Sequence, residues 1–443
     1  MAGADNIDAS LWRETWESTT VTFNGQTYSG YKPSGMLSNP DLKWETTISR
    51  NIGLDFGFFN NRLSGTIDAY WNTTKDLLMC IPIDETTGYS YQYQNIGQTS
   101  NKGIEIALNY DVIRTKDFTL GVSATYNYNH NNIDELADNI IAQYGSQWAS
   151  SATTPTYDYE FREGKPVGLI RGYICDGYYT TADFNYDPAT KTYTLKPGVA
   201  DLGNLVGNYP SHYNLPEGQK AFPGAVKLRD LDGNGVADTE DVADLGEITH
   251  PHTGGFNLNM TWKDIDFSAG FAWATGGHVY NVNSLINMYG NKDTGAGANK
   301  LEFISDCYQI YDIQNGELVP VVEPDALDAL NTGAKYGVPY MENGTVLSTF
   351  VEDASFLRLN TLTVGYTFPK AWTKKIGMQR ARVYATAGNL FTITGYSGID
   401  PEVNADPNKS TTAANTGNYP LLGMDYGTYP RARTFTFGVN ITF

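Results

Sequence analysis

Apolar and polar positions alternate strictly over several long stretches of this chain. The last stretch, residues 434–443, places small polar side chains at even positions and apolar side chains at Phe435, Phe437, Val439, Ile441 and Phe443. Side chains of a strand point alternately to its two faces, so one face of this strand is wholly apolar. A soluble sandwich strand has this pattern, and so does a transmembrane barrel strand of about ten residues. This stretch alone leaves both interpretations open.

The same alternation predicts nine long strands in order along the chain. They cover residues 42–58, 62–73, 104–110, 118–129, 256–262 and 265–273, a seventh ending at Phe368, an eighth near 383–387, and 434–443. Short turns join strands one and two, three and four, five and six, and seven and eight. The other connections are longer, and three of them are very long, at about 130–251, 280–350 and 395–429.

A meander through a membrane explains these connections, because barrels have short periplasmic turns and long external loops. Aromatic residues near strand ends fit interfacial girdles: Trp71, Tyr110, Tyr128, Trp262 and Trp273. In a soluble sheet the same residues would pack in a rim or core. The connections favour an all-β, antiparallel transmembrane β-barrel segment.

The number of strands leads to a further expectation. Bacterial single-chain barrels have an even number of strands, and open strand edges are not tolerated in lipid. We therefore expect residues 42–443 to be the C-terminal part of a larger barrel, or a truncated gene product, with residues 1–41 as an external loop segment. The first residues carry no recognisable secretory signal, which agrees with this expectation.

Composition narrows the possible partners. The formal net charge is −19, and an acidic surface repels phosphate backbones, so nucleic acid is not an expected partner. The 45 Gly, 31 Tyr and 8 Trp suit strands and wet interfaces better than a helical bundle. No stretch approaches the roughly 18 apolar residues of a membrane helix. Cys80, Cys175 and Cys307 lie too far apart to indicate a disulfide framework or a zinc site.

An ordered series of short motifs after residue 39 carries a family resemblance. They are NPDLKWE at 39–45, NIGLD at 51–55, NRLSG at 61–65, KDLL at 75–78, NIG at 95–97, NKGIE at 101–105, GKPVG at 164–168, FLRLN at 356–360, GY at 365–366, GNLF at 388–391, DPE at 400–402 and the terminal Phe443. The series resembles the SusC/RagA family of TonB-dependent outer-membrane transporters.

This resemblance implies an outer-membrane location and import of oligosaccharides or peptides. Complete members of the family resemble plugged barrels of about 22 strands. The resemblance also implies a SusD-like surface lipoprotein as a partner, and contact with the TonB complex through an N-terminal part that this chain does not contain. The terminal strand, with Phe435, Phe437, Val439, Ile441 and Phe443, is similar to the signal that barrel-assembly machinery reads.

The strongest local motif for chemistry is the 230–241 segment, DLDGNGVADTED. Its spacing matches that of an EF-hand calcium loop, with a glycine at position 6 and candidate ligands Asp230, Asp232, Asn234, Val236 (through its carbonyl), Asp238 and Asp241. The last ligand is Asp rather than Glu, which is expected to weaken bidentate binding. The segment predicts calcium holding an external loop. The alternative is a turn rich in Asp, Asn and Gly that binds no ion.

Catalytic patterns are weak in this sequence. His250, His252 and His278 lack a zinc-ligand spacing, and the pairs Glu160/Glu163 and Asp325/Asp328 have no defined carboxyl separation. No GxSxG, P-loop or HExxH motif occurs. We therefore do not expect an enzyme. Aromatic residues of the loops are candidates for stacking on sugars or peptides, or for packing the loops together: Tyr89, Tyr91, Tyr93, Trp148, Tyr157 and Tyr159.

Three functions are considered for this sequence. The first is part of an outer-membrane nutrient transporter, for which lipid and a glycan or peptide substrate are expected partners. The second is a soluble, calcium-stabilised, β-rich binding module at the cell surface. The third is a secreted glycosidase. The first requires detergent or lipid, the second stays soluble in buffer, and the third hydrolyses a glycan.

Overall fold

The computed structural model describes residues 9–12, 14–33, 35–89, 91–136, 142–144, 159–203, 212–288, 302–339, 346–403, 423–425 and 429–443. Its main element is an antiparallel sheet of nine strands. The strands are β1 (Thr46–Phe58), β2 (Leu63–Lys75), β3 (Gln98–Arg114), β4 (Phe118–Glu135), β5 (His252–Trp262), β6 (Ile265–Thr275), β7 (Phe356–Thr367), β8 (Arg380–Thr394) and β9 (Thr434–Thr442). Their spatial order follows the chain order, so the prediction of a nine-strand meander is confirmed.

The register keeps apolar positions together on one face of this sheet. Phe56 on β1 lies opposite Gly65 on β2, and Ala124 on β4 lies opposite Phe256 on β5. These side chains do not pack into a core: Ile52 is 68% exposed and Phe437 is 81% exposed. A water-soluble sheet buries such a face, whereas a barrel turns it to lipid. The exposure therefore favours the membrane interpretation over the sandwich, and we call this surface the outward face.

The opposite face is polar and is spanned by hydrogen bonds and ion pairs. Arg382 on β8 makes a bidentate ion pair with Asp266 on β6, reaching across β7. Gly365 on β7 makes this possible, since a Cβ there would meet the Arg382 guanidinium. We call this surface the lumen-facing side.

Short connections are found at one end of the sheet. The β1–β2 turn places Phe59, Asn60 and Asn61 at φ values of 56°, 55° and 62°, and Lys263 in the β5–β6 turn has φ 52°. The β7–β8 connection is longer and contains a short helix, Lys370–Thr373. All four short connections join the strand pairs predicted from the sequence. This end corresponds to the periplasmic side of a barrel, and the long connections correspond to the external side.

The long connections fold together around a shared core, which the sequence did not predict. Buried residues of the first connection (Ile170, Tyr193, Phe222), the second (Leu285) and the third (Met424) belong to one hydrophobic cluster. We call the parts of 142–248, 278–353 and 423–425 that the structure describes the cap. The expectation of long external loops was therefore incomplete, because the loops share a core.

The cap is built from short elements. Two helices, α1 (Val282–Met288) and α2 (Pro324–Leu330), lie in the second connection. The short strands form small sheets: Ala142–Tyr144, Tyr159–Phe161, Leu169–Gly172 and Ala243–Glu247; Cys175–Tyr178 with Val226–Leu228; Phe184–Asp187 with Thr192–Leu195; Asp201–Leu202 with Val236–Ala237; His278–Tyr280 with Val351–Asp353; and Tyr311–Gln314 with Glu317–Pro320. In the part of the chain that the structure describes, no helix is long and apolar enough to span a bilayer.

The N-terminal segment also differs from the expectation of a loop. Trp16–Phe23 pairs with Gln26–Pro33 in a hairpin. Its turn is Asn24-Gly25, with φ values of 54° and 78°. Asn-Gly between two runs of β-formers is a strong hairpin signal, because both central residues of this turn need positive φ. The hairpin could therefore have been predicted from Asn24-Gly25, although the many polar residues around this pair suggested a loop.

Candidate functional site

A cavity of about 1100 Å³ lies between the lumen-facing side of the sheet and the cap. Strands β2, β3 and β4 contribute polar side chains to its wall: Tyr70, Asn72, Asn101, Glu105, Asn127 and Asn129. Ile248, His250 and Val279, at the base of the cap, and Glu402 and Arg431 also belong to the lining. Apolar side chains contribute to it as well, among them Trp273 and Phe356. The cavity is therefore a mixed polar and apolar chamber beneath the external part of the molecule.

Hydrogen bonds between strands fix the polar wall. The Tyr70 hydroxyl donates to Asn129 Oδ1 at 2.9 Å, and Asn129 Nδ2 donates to Asn101 Oδ1 at 3.2 Å. Asn131 Nδ2 donates to the same Asn101 oxygen at 3.0 Å. The Tyr70 ring lies over Gly103. A Cβ at residue 103 would lie closer to the Tyr70 hydroxyl oxygen than van der Waals contact allows. The wall therefore presents carboxamide groups in fixed positions.

A buried arginine anchors the third connection at the cavity rim. Arg358, on β7, is 1% exposed and donates from Nη2 to Asp400 Oδ1 at 2.6 Å. The same nitrogen lies 3.2 Å from Glu402 Oε2, and Arg431 pairs with both carboxylates. Arg358 belongs to the FLRLN motif and Asp400 to the DPE motif, so two of the sequence motifs meet here. Sequence reasoning did not identify this contact.

A second set of contacts holds the start of the third connection against the cap. The Tyr396 hydroxyl donates to Asp425 Oδ2 at 2.7 Å, and Asn283 Nδ2 donates to Asp425 Oδ1 at 2.8 Å. Burial and the Asp425 carboxylate raise the pKa of Tyr396, which therefore stays a neutral donor. Glu352 accepts from Ser397 and Asn281. These bonds join residues of the second and third connections above the cavity.

The 230–241 loop brings three of its carboxylates close together. One carboxylate oxygen from each of Asp230, Asp232 and Asp241 lies within 4.8 Å of the others. Gly233 and Gly235 take φ values of 77° and 91°, which make the sharp turn possible. The separation is compatible with ligands of one Ca²⁺ ion, which takes six to eight oxygen ligands at about 2.3–2.6 Å.

Backbone hydrogen bonds already organise this loop. Asp230 accepts from the backbone N–H groups of Gly235 and Gly233, which lower the pKa of its carboxyl. Asp241 is fully buried and accepts from the N–H groups of Leu231, Asp232 and Asp238. Among the described residues, no Lys or Arg forms an ion pair with Asp230, Asp232 or Asp241. The donor set therefore fits a hard divalent cation.

Two other members of the predicted ligand set make local bonds in the loop. Asn234 Oδ1 accepts from the Val236 N–H, and Asp238 caps the short helical turn Thr239–Asp241 through the Glu240 N–H. The pairing of Val236 with Asp201 joins the loop to a second cap strand.

The aromatic candidates lie elsewhere. Tyr91 and Tyr93 are half-buried in a small sheet formed by Met36–Leu37, Leu78–Pro82 and Tyr91–Asn95, and the Tyr89 hydroxyl donates to Glu14. Trp148 and Tyr157 lie outside the described residues, as does the side chain of Tyr159. None of the described aromatic candidates lines the cavity described above.

The histidines and carboxylate pairs occupy separate structural positions. His250 Nε2 contacts the Ala354 carbonyl, and His252 Nδ1 contacts the Tyr126 hydroxyl on the outward face. Glu163 accepts from the Leu136 N–H and Asp328 accepts from the Thr181 hydroxyl. Within the described part of the chain, the structure gathers no metal-binding group from these histidines.

The terminal aromatic residues lie on β9, at an edge of the sheet. Phe435, Phe437 and Val439 face outward opposite Ala387, Ala385 and Val383 of β8. All are exposed to more than half of their surface. The placement agrees with their prediction as lipid-facing residues of the last strand.

Comparison with known proteins identifies the family. Residues 15–215 match the family described as "TonB dependent receptor-like, beta-barrel". The chain is 32% identical over 407 residues to TonB-dependent receptor P3 of Formosa agariphila, covering 92% of this chain and 35% of that protein. It is 29% identical over 429 residues to TonB-dependent receptor SusC of Bacteroides thetaiotaomicron, covering 96% of this chain and 34% of that protein.

A solved structure shows the same fold. The RagAB peptide transporter matches with a TM-score of 0.67 at 23% identity, over 100% of this chain and 40% of that chain. The chain thus spans about a third of the length of the curated relatives it matches. The outward apolar face, the nine-strand meander and these matches agree with the motif series. The chain belongs to the β-barrel part of the SusC/RagA-type TonB-dependent receptors of the outer membrane.

Proposed function

We propose that this chain forms part of a pathway for nutrient import across the outer membrane. The observation that carries the proposal is the cavity between the lumen-facing side and the cap. A solute that enters from the external surface toward the barrel interior would pass through it. The Asn72 carboxamide and the Nδ2 group of Asn101, whose Oδ1 already accepts from Asn129 and Asn131, can hydrogen-bond a polar solute.

The substrate class that we propose is an oligosaccharide or a peptide. Both carry many hydroxyl or amide groups, which carboxamide side chains can bind. Among similar proteins, one solved structure is described as a peptide transporter, and the relative from Bacteroides thetaiotaomicron is a SusC receptor. We propose passage without catalysis, because the similar proteins are receptors and transporters.

The proposed partners follow from the same relatives. A SusD-like lipoprotein would contact the external side, and the TonB complex would supply energy through a part of the protein that precedes the barrel. A soluble binding module is disfavoured, because a module of that kind would bury the outward Phe, Leu and Ile side chains.

Blocking the cavity tests the proposal. Asn101→Trp and Asn127→Trp place a large ring on the lumen-facing wall, and Ala124→Trp, on the outward face of β4, is the matched control. We expect uptake of labelled oligosaccharide or peptide, by cells that produce the whole transporter, to fall for the first two variants and not for the control. Equal uptake by all variants, at equal amounts in the outer membrane, would contradict the proposal.

We also propose that the 230–241 loop binds Ca²⁺ and thereby holds this part of the cap. The three clustered carboxylates, which lack a basic partner among the described residues, support this. Bound calcium would order the loop and the short parallel pair Asp201–Leu202 and Val236–Ala237. We expect an affinity of about 10⁻⁴–10⁻³ M, the range of extracellular calcium modules.

Limited proteolysis tests whether the 230–241 loop binds Ca²⁺. Adding Ca²⁺ should slow cleavage within residues 230–241, and Asp230→Asn/Asp232→Asn should remove the effect. Asp187→Asn, in an exposed turn of the same cap, is the control. Calcium-independent cleavage of the unmodified chain would refute the proposed site.

A further inference from the structure

A row of basic and aromatic side chains crosses four strands at the external end of the outward face. Arg50 on β1 lies opposite Trp71 on β2, Trp71 lies opposite Lys102 on β3, and Lys102 lies opposite His130 on β4. All four side chains are exposed. Directly paired residues on adjacent strands share a face, so these four form one continuous strip, which we call the basic rim.

The outward face on the periplasmic side of the basic rim carries no charge on these four strands. The outward positions from there to the short turns are all apolar, glycine or tyrosine: 52, 54, 56 and 58 on β1; 63, 65, 67 and 69 on β2; 104, 106, 108 and 110 on β3; and 118, 120, 122, 124, 126 and 128 on β4. The basic rim therefore lies where a hydrocarbon-facing surface ends. Lipid headgroups meet a barrel at this level.

The sign of the rim charge is opposite to that of the protein. The chain carries 49 acidic and 30 basic residues, yet the charged side chains of the rim are all basic. Among the described residues, no acidic side chain forms an ion pair with Arg50 or Lys102. The nearest acidic residue along β4, Asp134, lies closer to the external end of the strand and accepts hydrogen bonds from Ser100, Asn132 and Gln98. It interacts electrostatically with Lys102 without forming an ion pair with it.

The rim chemistry suits phosphate groups. Arginine binds phosphate through a planar fork, and lysine binds it as a point charge. Neighbouring strands are about 4.8 Å apart, so Arg50 and Lys102 are roughly 10 Å apart with the Trp71 ring between them. Tryptophan favours the interface between hydrocarbon and water. A ligand that contacts all of the basic rim therefore carries phosphate at the external end and an apolar part toward the periplasmic end.

We propose that the basic rim binds phosphate-bearing headgroups of lipids in the outer leaflet. The continuity of the rim with the apolar face identifies a lipid as the occupant, because acyl chains would cover Ile52, Ile104 and their neighbours while the phosphate meets Arg50 and Lys102. The contact would fix the height of β1 to β4 in the membrane. It is separate from the cavity, which lies on the other face of the same strands.

Lipid retention by the purified full chain tests this proposal. The chain in a non-ionic detergent is mixed with phosphatidic acid or with phosphatidylcholine of the same acyl chains, and the lipid bound after removal of free micelles is measured by mass spectrometry. The test variant is Arg50→Glu/Lys102→Glu. The control is Lys43→Glu/Lys191→Glu, which changes the net charge equally at two exposed positions away from the rim.

We expect the unmodified chain and the control to retain phosphatidic acid in preference to phosphatidylcholine. The test variant should retain roughly tenfold less phosphatidic acid, because two basic contacts become repulsive. If circular dichroism shows that this variant loses strand content, Arg50→Gln/Lys102→Gln replaces it and should also lose the preference.

Three results would overturn the proposal. The first is equal retention of the two lipids by the unmodified chain, and the second is unchanged preference in a folded rim variant. The third is complete displacement of phosphatidic acid by millimolar inorganic phosphate, which would show a site for free phosphate rather than for a lipid.

Discussion

At the scale of single residues, glycine positions let large side chains lie flat on the lumen-facing side. Tyr70 lies over Gly103, and Tyr384 lies over Gly438, and an added Cβ at either glycine would clash with the ring. A methyl group at these positions would displace an aromatic ring on a neighbouring strand. Gly103 therefore helps to determine where Tyr70 lies on the cavity wall.

Gly103→Ala should destabilise the chain by about 1–3 kcal/mol, because the added Cβ would clash with the Tyr128 carbonyl oxygen and with the Tyr70 ring. Displacing Tyr70 would also break its hydrogen bond to Asn129. The midpoint of urea unfolding in detergent measures the change. Gly30→Ala, in the N-terminal hairpin, has no atom within 4 Å of the added Cβ and serves as the control. Similar midpoints for the two variants would show that Tyr70 and the β4 backbone adjust without cost.

Arg358→Ala should lower the free energy of unfolding more, by about 3–5 kcal/mol, since it leaves Asp400 and Glu402 without their buried partner. Arg431→Ala removes a half-exposed arginine from the same carboxylates and should cost much less. Unfolding midpoints compare the two variants. Faster proteolysis near residues 395–403 in Arg358→Ala should accompany the loss of stability, and equal effects of both variants would contradict the special role of Arg358.

At the scale of elements, the nine strands could be predicted because each carries its own periodic pattern. The bounds were less accurate: β3 begins at Gln98 and β4 ends at Glu135, both beyond the strictly alternating positions. A β-bulge between Gln98 and Thr99 changes the register there, and polar residues occupy both faces once the strands leave the membrane.

The cap could not be predicted in the same way. Its core residues, such as Ile170, Tyr193 and Leu285, lie in segments without a long alternating pattern, and they form one core only when the three connections pack together. The 230–241 loop was visible because all its proposed ligands lie within one segment. The Arg358–Asp400 pair was not, because the partners lie 42 residues apart.

The four-stranded sheet of the cap should respond to acid through Asp244. Burial opposes ionisation of this carboxyl, but the hydrogen bond from Lys165 and the charges of Lys165, Arg171 and Arg162 outweigh it and lower its pKa below 3.8. A lowered folded-state pKa contributes stability that is present above the unfolded-state value and lost as the pH falls through the folded-state value.

We therefore expect the cap to lose stability as the pH falls below about 4, and Asp244→Asn to lack this part of the dependence. Unfolding midpoints at pH 6 and pH 3 give the difference for each variant. Asp325→Asn, whose carboxylate pairs with no basic group in the described chain, should behave as the unmodified protein does. An equal pH dependence in Asp244→Asn would exclude Asp244 as the cause.

At the scale of the whole molecule, the sheet of the described chain is open. β1 pairs only with β2, and β9 pairs only with β8, so each has one free edge. Free strand edges expose unpaired N–H and C=O groups, which hydrocarbon cannot satisfy. In a barrel these edges meet further strands.

Hydrogen exchange should reveal the free edges in the 443-residue chain. In detergent, amides of β1 and β9 should exchange faster than those of β4 and β5, whose strands have neighbours on both sides. Mass spectrometry of peptic fragments measures the rates. Within a longer barrel that supplies neighbours for β1 and β9, exchange at the two edges should be slower. Uniform protection of all nine strands in the isolated chain would indicate that the edges pair with each other or with another copy.

The shared interior of the cap has a consequence for biogenesis. Met424, which lies in the third connection, is fully buried in the same cluster as residues of the first and second connections. The cap therefore cannot fold completely while earlier strands are still being inserted into the membrane. It can fold only after the third long connection has reached the external side, so a fully folded cap marks the end of insertion.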